Sequence, residues 1–141
     1  MANRVEFLIR DNNNNGTKFM VELYDNLEPI VQNFLDLCRR QEYIDPRLEA
    51  MPSGGVRFKV NNPANQPRLD INLNNNVDGS LFNQGALFMA NDGSFIISHS
   101  SDEASSLRAQ CVTFGHVVRG YNVLRNMMQD GYVYVVDCYT L

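Results

Sequence analysis

The sequence predicts a mainly β domain, a closed or nearly closed barrel of short strands capped by two helices. Three observations carry this expectation. Apolar and polar residues alternate at period two in stretch after stretch of the chain. Two segments switch to helical spacing instead. Clusters of Asn, Gly and Pro separate these segments at short intervals.

The first strand is read at Val5, Phe7 and Ile9, interleaved with Glu6, Leu8 and Arg10. The asparagines at 12–15 and then Gly16 signal a turn, because Asn-Gly accepts positive φ. Phe19, Val21 and Leu23 alternate again and complete a hairpin. Pro29 suits the first turn of a helix, where a missing N–H costs little. Ile30, Phe34, Leu37 and Cys38 follow at helical spacing, and Arg39 and Arg40 suit the negative end of the helix dipole. The helix is expected at residues 29–40.

Residues 41–55 read as loop, with Pro46, Pro52 and Gly54-Gly55. Val56, Phe58 and Val60 alternate with Arg57 and Lys59, and Leu69, Ile71 and Leu73 alternate with polar neighbours, so both stretches are expected strands. Residues 61–67 are a turn-rich connection. Residues 86–90 and 94–98 read as short strands around Asn91, Asp92 and Gly93. Residues 99–108 are polar and read as loop. Residues 112–118 form a strand interrupted at Gly115, and Gly120 opens a short helix that turns Val123, Leu124, Met127 and Met128 inward. The Tyr- and Val-rich residues 132–138 give the last strand.

The chain has 141 residues, the size of one domain, and residues 1–141 show no internal repeat or linker. A chain this long buries roughly two thirds of its unfolded surface and needs no disulfide or metal to fold. Lys and Arg total 12 against a net charge of -4, with no basic run. That excludes a phosphate-tracking groove, so no nucleic-acid partner is expected. Three cysteines (Cys38, Cys111 and Cys138) without a CxxC argue against a disulfide framework and a zinc site. Reduced thiols suggest cytoplasm or nucleus. No apolar run approaches the roughly 18 residues of a membrane span, and charges at Glu6, Arg10 and Asp11 interrupt any signal-peptide core. No phosphate- or dinucleotide-binding glycine pattern occurs, so no cofactor is expected. His99, Asp102 and Glu103 are read as members of a solvated loop, not metal ligands.

Three ordered stretches resemble cyclophilins, the peptidyl-prolyl isomerase family. The first runs Val21, Glu22, Leu23, Tyr24, Asp25, then Pro29, Asn33-Phe34 and Leu37-Cys38. The second runs from Gly85 through Met89, Ala90 and Asn91 to Phe95, Ile96 and Ile97. The third is Val112, Thr113, Phe114, Gly115, His116, Val117, then Gly120 and Val123. Val136, Asp137, Cys138 and Leu141 also resemble the family's last strand. The resemblance implies a cyclophilin-like eight-stranded antiparallel β-barrel capped by two α-helices. It also implies a groove in which an arginine acts on a prolyl amide and an apolar pocket holds the ring.

Transferred residue by residue, the resemblance gives a mixed site. Arg57 takes the catalytic position if Gly55 and Val56 occupy those of the family's Phe and His; a shift of one residue places Phe58 there instead. Ala90 and Asn91 match the segment whose backbone holds the peptide. Ser94 stands where the family has glutamine and Ile96 where it has a pocket phenylalanine. Leu107 keeps the family's leucine, while Cys111 replaces its histidine and Ser106 a frequent tryptophan. The Phe-Met-x-Gln segment is missing. The leading expectation is a binding module for a protein or a proline-containing peptide segment, with a degenerate isomerase site. An active isomerase using Arg57, and a structural domain whose partner binds outside the groove, stand beside it. The domain is expected to be monomeric, alone or within a larger protein or complex.

Overall fold

A computed structural model describes residues 3–24, 28–44, 48–52, 54–60, 84–90, 92–107 and 111–141. The two N-terminal alternating stretches form β1 (Asn3–Asp11) and β2 (Gly16–Leu23), antiparallel, with Val5 opposite Val21 and Phe7 opposite Phe19. The left-handed residue of their turn is Asn14, at φ 66, not Gly16. The Asp11 carboxylate organises the turn by accepting the backbone N–H groups of Asn13 and Asn15, both at 2.9 Å. Asparagine tolerates this conformation, and Gly16 is thereby left to begin β2.

Helix α1 (Glu28–Arg39) buries Ile30, Val31, Phe34, Leu35, Leu37 and Cys38. It ends in a Schellman arrangement: the Glu42 N–H reaches the Leu37 carbonyl at 2.9 Å and the Gln41 N–H the Cys38 carbonyl at 3.1 Å. Gln41 holds the left-handed position, at φ 58, that glycine usually fills. Its side chain also donates to the Cys138 carbonyl at 3.2 Å, fastening the helix end to the last strand.

The remaining elements are β3 (Glu49–Ala50), β4 (Val56–Phe58), β5 (Ala86–Met89), β6 (Phe95–Ile97), α2 (Ser101–Leu107), β7 (Val112–Arg119), α3 (Tyr121–Asp130) and β8 (Val133–Thr140). All pairings are antiparallel, in the order β3-β4-β6-β5-β7-β2-β1-β8. The sheet curls on itself: Leu48, just before β3, donates to Val133 at the start of β8 at 2.6 Å. Its concave side is filled by phenylalanines. Phe58 and Phe95 stack at 4.5 Å, Phe7 and Phe19 at 5.0 Å, and Phe34 and Phe114 close the cluster. Tyr43 stands among them and donates to the Gly93 carbonyl at 2.6 Å, tying the core to the β5–β6 turn.

Several expectations are corrected. Part of residues 41–55 forms the two-residue β3. Residues 99–108, read as a solvated loop, contain α2, so three helices accompany the sheet among the described residues. Gly115 does not interrupt β7; it lets β7 press against the Glu22 carbonyl, where a Cβ has no room. Among the described side chains of α3 only Leu124 is fully buried, Met127 and Met128 pack against the core, and Val123 points outward at 44% exposure. The strand expected at Leu69 to Leu73 lies outside the described residues. Cys38, Cys111 and Cys138 are free thiols. No helix is long and apolar enough to cross a membrane among the described residues.

Candidate functional site

Strand alternation decides which way each residue of β4 faces. Val56 and Phe58 enter the core, and Phe58 is 0% exposed against Phe95. Arg57 therefore faces outward, its side chain 32% exposed. Of the two registers left open by the sequence, the structure puts Arg57 on the outer face. Phe58 belongs to the core, with no surface to offer a peptide.

Across the outer face, Arg57 pairs with Ile96, Ile96 with Phe88, and Phe88 with Thr113. Around this row a second apolar cluster gathers Ala86, Phe88, Ala104 and Cys111, with Ala90 and Leu107 partly buried against it. Ala104 and Leu107 come from α2, which thus covers the outside of β5. Ile96 keeps 6% exposure. Phe88 went unnoticed in the sequence as part of this face. The signal was there: all four residues of β5 are apolar and buried, the mark of a strand covered on both sides.

Arg57 is engaged by carboxylates on two sides. Nη2 lies 3.4 Å from Asp92 Oδ2, and Nη1 3.8 Å from Glu49 Oε1. Lys59 holds the other Glu49 oxygen at 2.7 Å, and chiefly this bond keeps the Glu49 carboxyl below its ordinary range. Asp92 Oδ1 meanwhile accepts the Ser94 N–H at 2.9 Å. Gly93, at φ 91, completes the tight β5–β6 turn. One carboxylate thus shapes the turn and reaches the guanidinium. Burial, then the Asp92 charge, push the Cys111 thiol upward; Arg57 opposes them.

The other sequence-derived residues divide. Ala90 borders the cluster, but its N–H already donates to the Ser94 carbonyl at 2.9 Å, so that donor is not open to a peptide strand. Ser94 is buried. Asn91 lies outside the described residues. Ser106 is exposed. Glu103, placed by the sequence in a solvated loop, is instead 5% exposed and accepts the Gly55 N–H at 3.0 Å and the His99 N–H at 2.6 Å. It clamps α2 to the chain just ahead of Arg57. No three His, Cys, Asp or Glu side chains are grouped to hold a metal among the described residues.

The outer face thus sets Leu107 and Cys111 in one apolar cluster, with Ile96 beside Phe88 and the Arg57 guanidinium across from Ile96. A family model described as cyclophilin type peptidyl-prolyl cis-trans isomerase/CLD matches residues 7–136. Among solved structures, the chain is similar to a cyclophilin type peptidyl-prolyl cis-trans isomerase of Cryptosporidium parvum. The identity is 16% and the TM-score 0.77, over 100% of this chain and 98% of that one. No curated protein matches.

Proposed function

The chain belongs to the cyclophilin-type peptidyl-prolyl cis-trans isomerase family, and from that premise we propose that its outer face binds a proline-containing peptide segment with little turnover. The observation that carries this reading is the state of Arg57: its guanidinium already faces Asp92 and Glu49. Rotation about an X–Pro bond meets a barrier of about 18–20 kcal/mol, set by amide resonance. A catalyst must bind the twisted amide more strongly than the planar one. A guanidinium shared between two carboxylates has less of its field to spend on an imide nitrogen. The ring's wall is also slight: Ile96, Ser106 and Cys111 stand where the family resemblance calls for phenylalanine, tryptophan and histidine.

A specific observation supports an active isomerase as the second reading, namely that Arg57 lies on the same face as Ile96 and Cys111. One experiment separates the two. Exchange between cis and trans forms of a short Ala-Pro peptide is followed by NMR, with and without protein. Peptide shifts without faster exchange are expected. Clear acceleration, abolished in Arg57→Ala, establishes the second reading. Neither shifts nor acceleration would leave a structural domain whose partner binds elsewhere.

A further inference from the structure

On the other side of β4 lies a cavity of about 170 Å³. Val56 lines it, whereas the next residue, Arg57, belongs to the outer face. Met51, Ile97, Leu124 and Met128 supply most of the rest of its apolar wall. A space on the order of 150 Å³ accommodates a molecule the size of benzene.

Three polar side chains also line it, Tyr121, Arg125 and Gln129, all from α3, and Arg125 is the charged one. Arg125 Nη1 donates to the Gly54 carbonyl at 3.1 Å; burial raises the nearby Tyr121 phenol, and the positive charge of Arg125 opposes it by favouring the ionised form. The Tyr121 hydroxyl lies 3.1 Å from His99 Nδ1. The Gly54 carbonyl is a neutral acceptor. No described carboxylate forms an ion pair with Arg125, although the same chain pairs Arg4, Lys18, Arg40, Arg57 and Lys59. A guanidinium has five N–H donors, and the Gly54 carbonyl does not exhaust them. A half-buried cation beside an apolar hole is the pairing found where a ligand has one anionic end and a hydrocarbon body.

We propose that this cavity is a binding site for a small aliphatic carboxylate of about six carbons, its tail between Val56, Ile97 and Leu124 and its carboxylate on Arg125. The size limit follows from the volume, since a water-sized unit takes about 30 Å³. The charge follows from Arg125, and one cation calls for one negative charge. The site stands apart from the peptide face, with β4 between them.

The test titrates sodium hexanoate into the 15N-labelled protein, with 1-hexanol and hexylamine as matched tails lacking the anion. Saturable shifts at the amides of Gly54, Gly55, Val56 and Leu124 are expected with hexanoate, and binding at least about tenfold weaker with the two controls. Arg125→Gln should bring hexanoate down to the level of hexanol, and Arg125→Lys should retain most of the binding. Dispersed amide signals from β1 and β2 report that each variant is folded. If Arg125→Gln fails to fold, the hexanoate-to-hexanol ratio in the native protein and in Arg125→Lys decides. Equal binding of hexanoate and hexanol, no saturable shifts, or shifts centred on Arg57 and Ile96 would each overturn the assignment.

Discussion

Asp92 gives its two oxygens different work, and the two can be separated. Oδ1 holds the β5–β6 turn through Ser94 N–H, while Oδ2 faces Arg57. Asparagine keeps a carbonyl oxygen for the turn and loses the charge, so Asp92→Asn tests the electrostatics with the backbone left in place. Part-exposed pairs of this kind are worth about 0.2–1 kcal/mol. Releasing Arg57 should therefore raise prolyl exchange by roughly 1.4- to 5-fold. Added salt should do the same in the native protein and much less in the variant, because it screens an exposed pair. An unchanged exchange rate in the variant would mean that Asp92 does not restrain Arg57. The same substitution removes the charge that adds to burial in raising Cys111, so its thiol should titrate lower and alkylate faster at fixed pH; Arg57→Ala should act in the opposite sense. Single residues were legible in the sequence where one rule governs them. Alternation put Arg57 and Phe58 on opposite faces, and only which face was left open. Asp92 was not legible, because its role depends on a turn that brings it to a strand 35 positions away.

Short elements hide when their buried residues are not the usual apolar ones. Helix α2 buries Ala104 and Glu103 and half-buries Leu107, and one Ala–Leu pair three apart among Ser, Asp and Glu is too little apolar period to read. Strand β3 has only two residues and exists because β4 offers it an edge. The Glu103 carboxylate of α2 accepts the His99 N–H and, across 48 positions, the N–H of Gly55 just ahead of β4. Hydrogen bonds to a charged group contribute about 1.5–3 kcal/mol. Glu103→Gln turns one of the two acceptor oxygens into a donor that faces an N–H, and it should lower stability by about that amount in urea unfolding. Gly55→Ala should do comparable damage from the other side, since a Cβ there collides with the carboxylate. Stability within about 0.3 kcal/mol of native for both would mean that the clamp contributes nothing. Long periodic elements read well by contrast: β1 and α1 fall within one or two residues of expectation, and β2 begins three residues earlier than its alternation shows.

For the whole molecule, strand content and antiparallel pairing were legible, whereas the adjacencies β4–β6 and β1–β8 were not, since no local pattern encodes which distant edge a strand will meet. The product of those adjacencies is a core in which ionisable groups sit among phenylalanines, and this sets how stability responds to alkali. Burial holds the Tyr43 phenol well above its ordinary range, with the neighbouring thiols adding to it. Burial first, then the bond to Cys138, likewise raises Cys38. Cys111 is raised by burial and Asp92, and Tyr24 is pushed up to about 12 by burial and Glu22. In the unfolded chain thiols lose protons near pH 8.5 and phenols near pH 10. The folded chain therefore keeps protons that the unfolded chain has lost, so the unfolded state binds fewer and stability falls as pH rises. These groups contribute their full share below about pH 8.5 and lose it progressively above, Tyr24 through the window from about 10 to about 12. Urea midpoints should thus hold steady from pH 7 to 8 and decline steadily from pH 9 to 11. Tyr24→Phe removes one of the titrating groups without emptying its place, and should flatten the part of the decline above pH 10. A native midpoint that stays level through pH 11 would mean that these phenols and thiols reach water in the folded chain, against the packing that α1, β7 and β8 create around them.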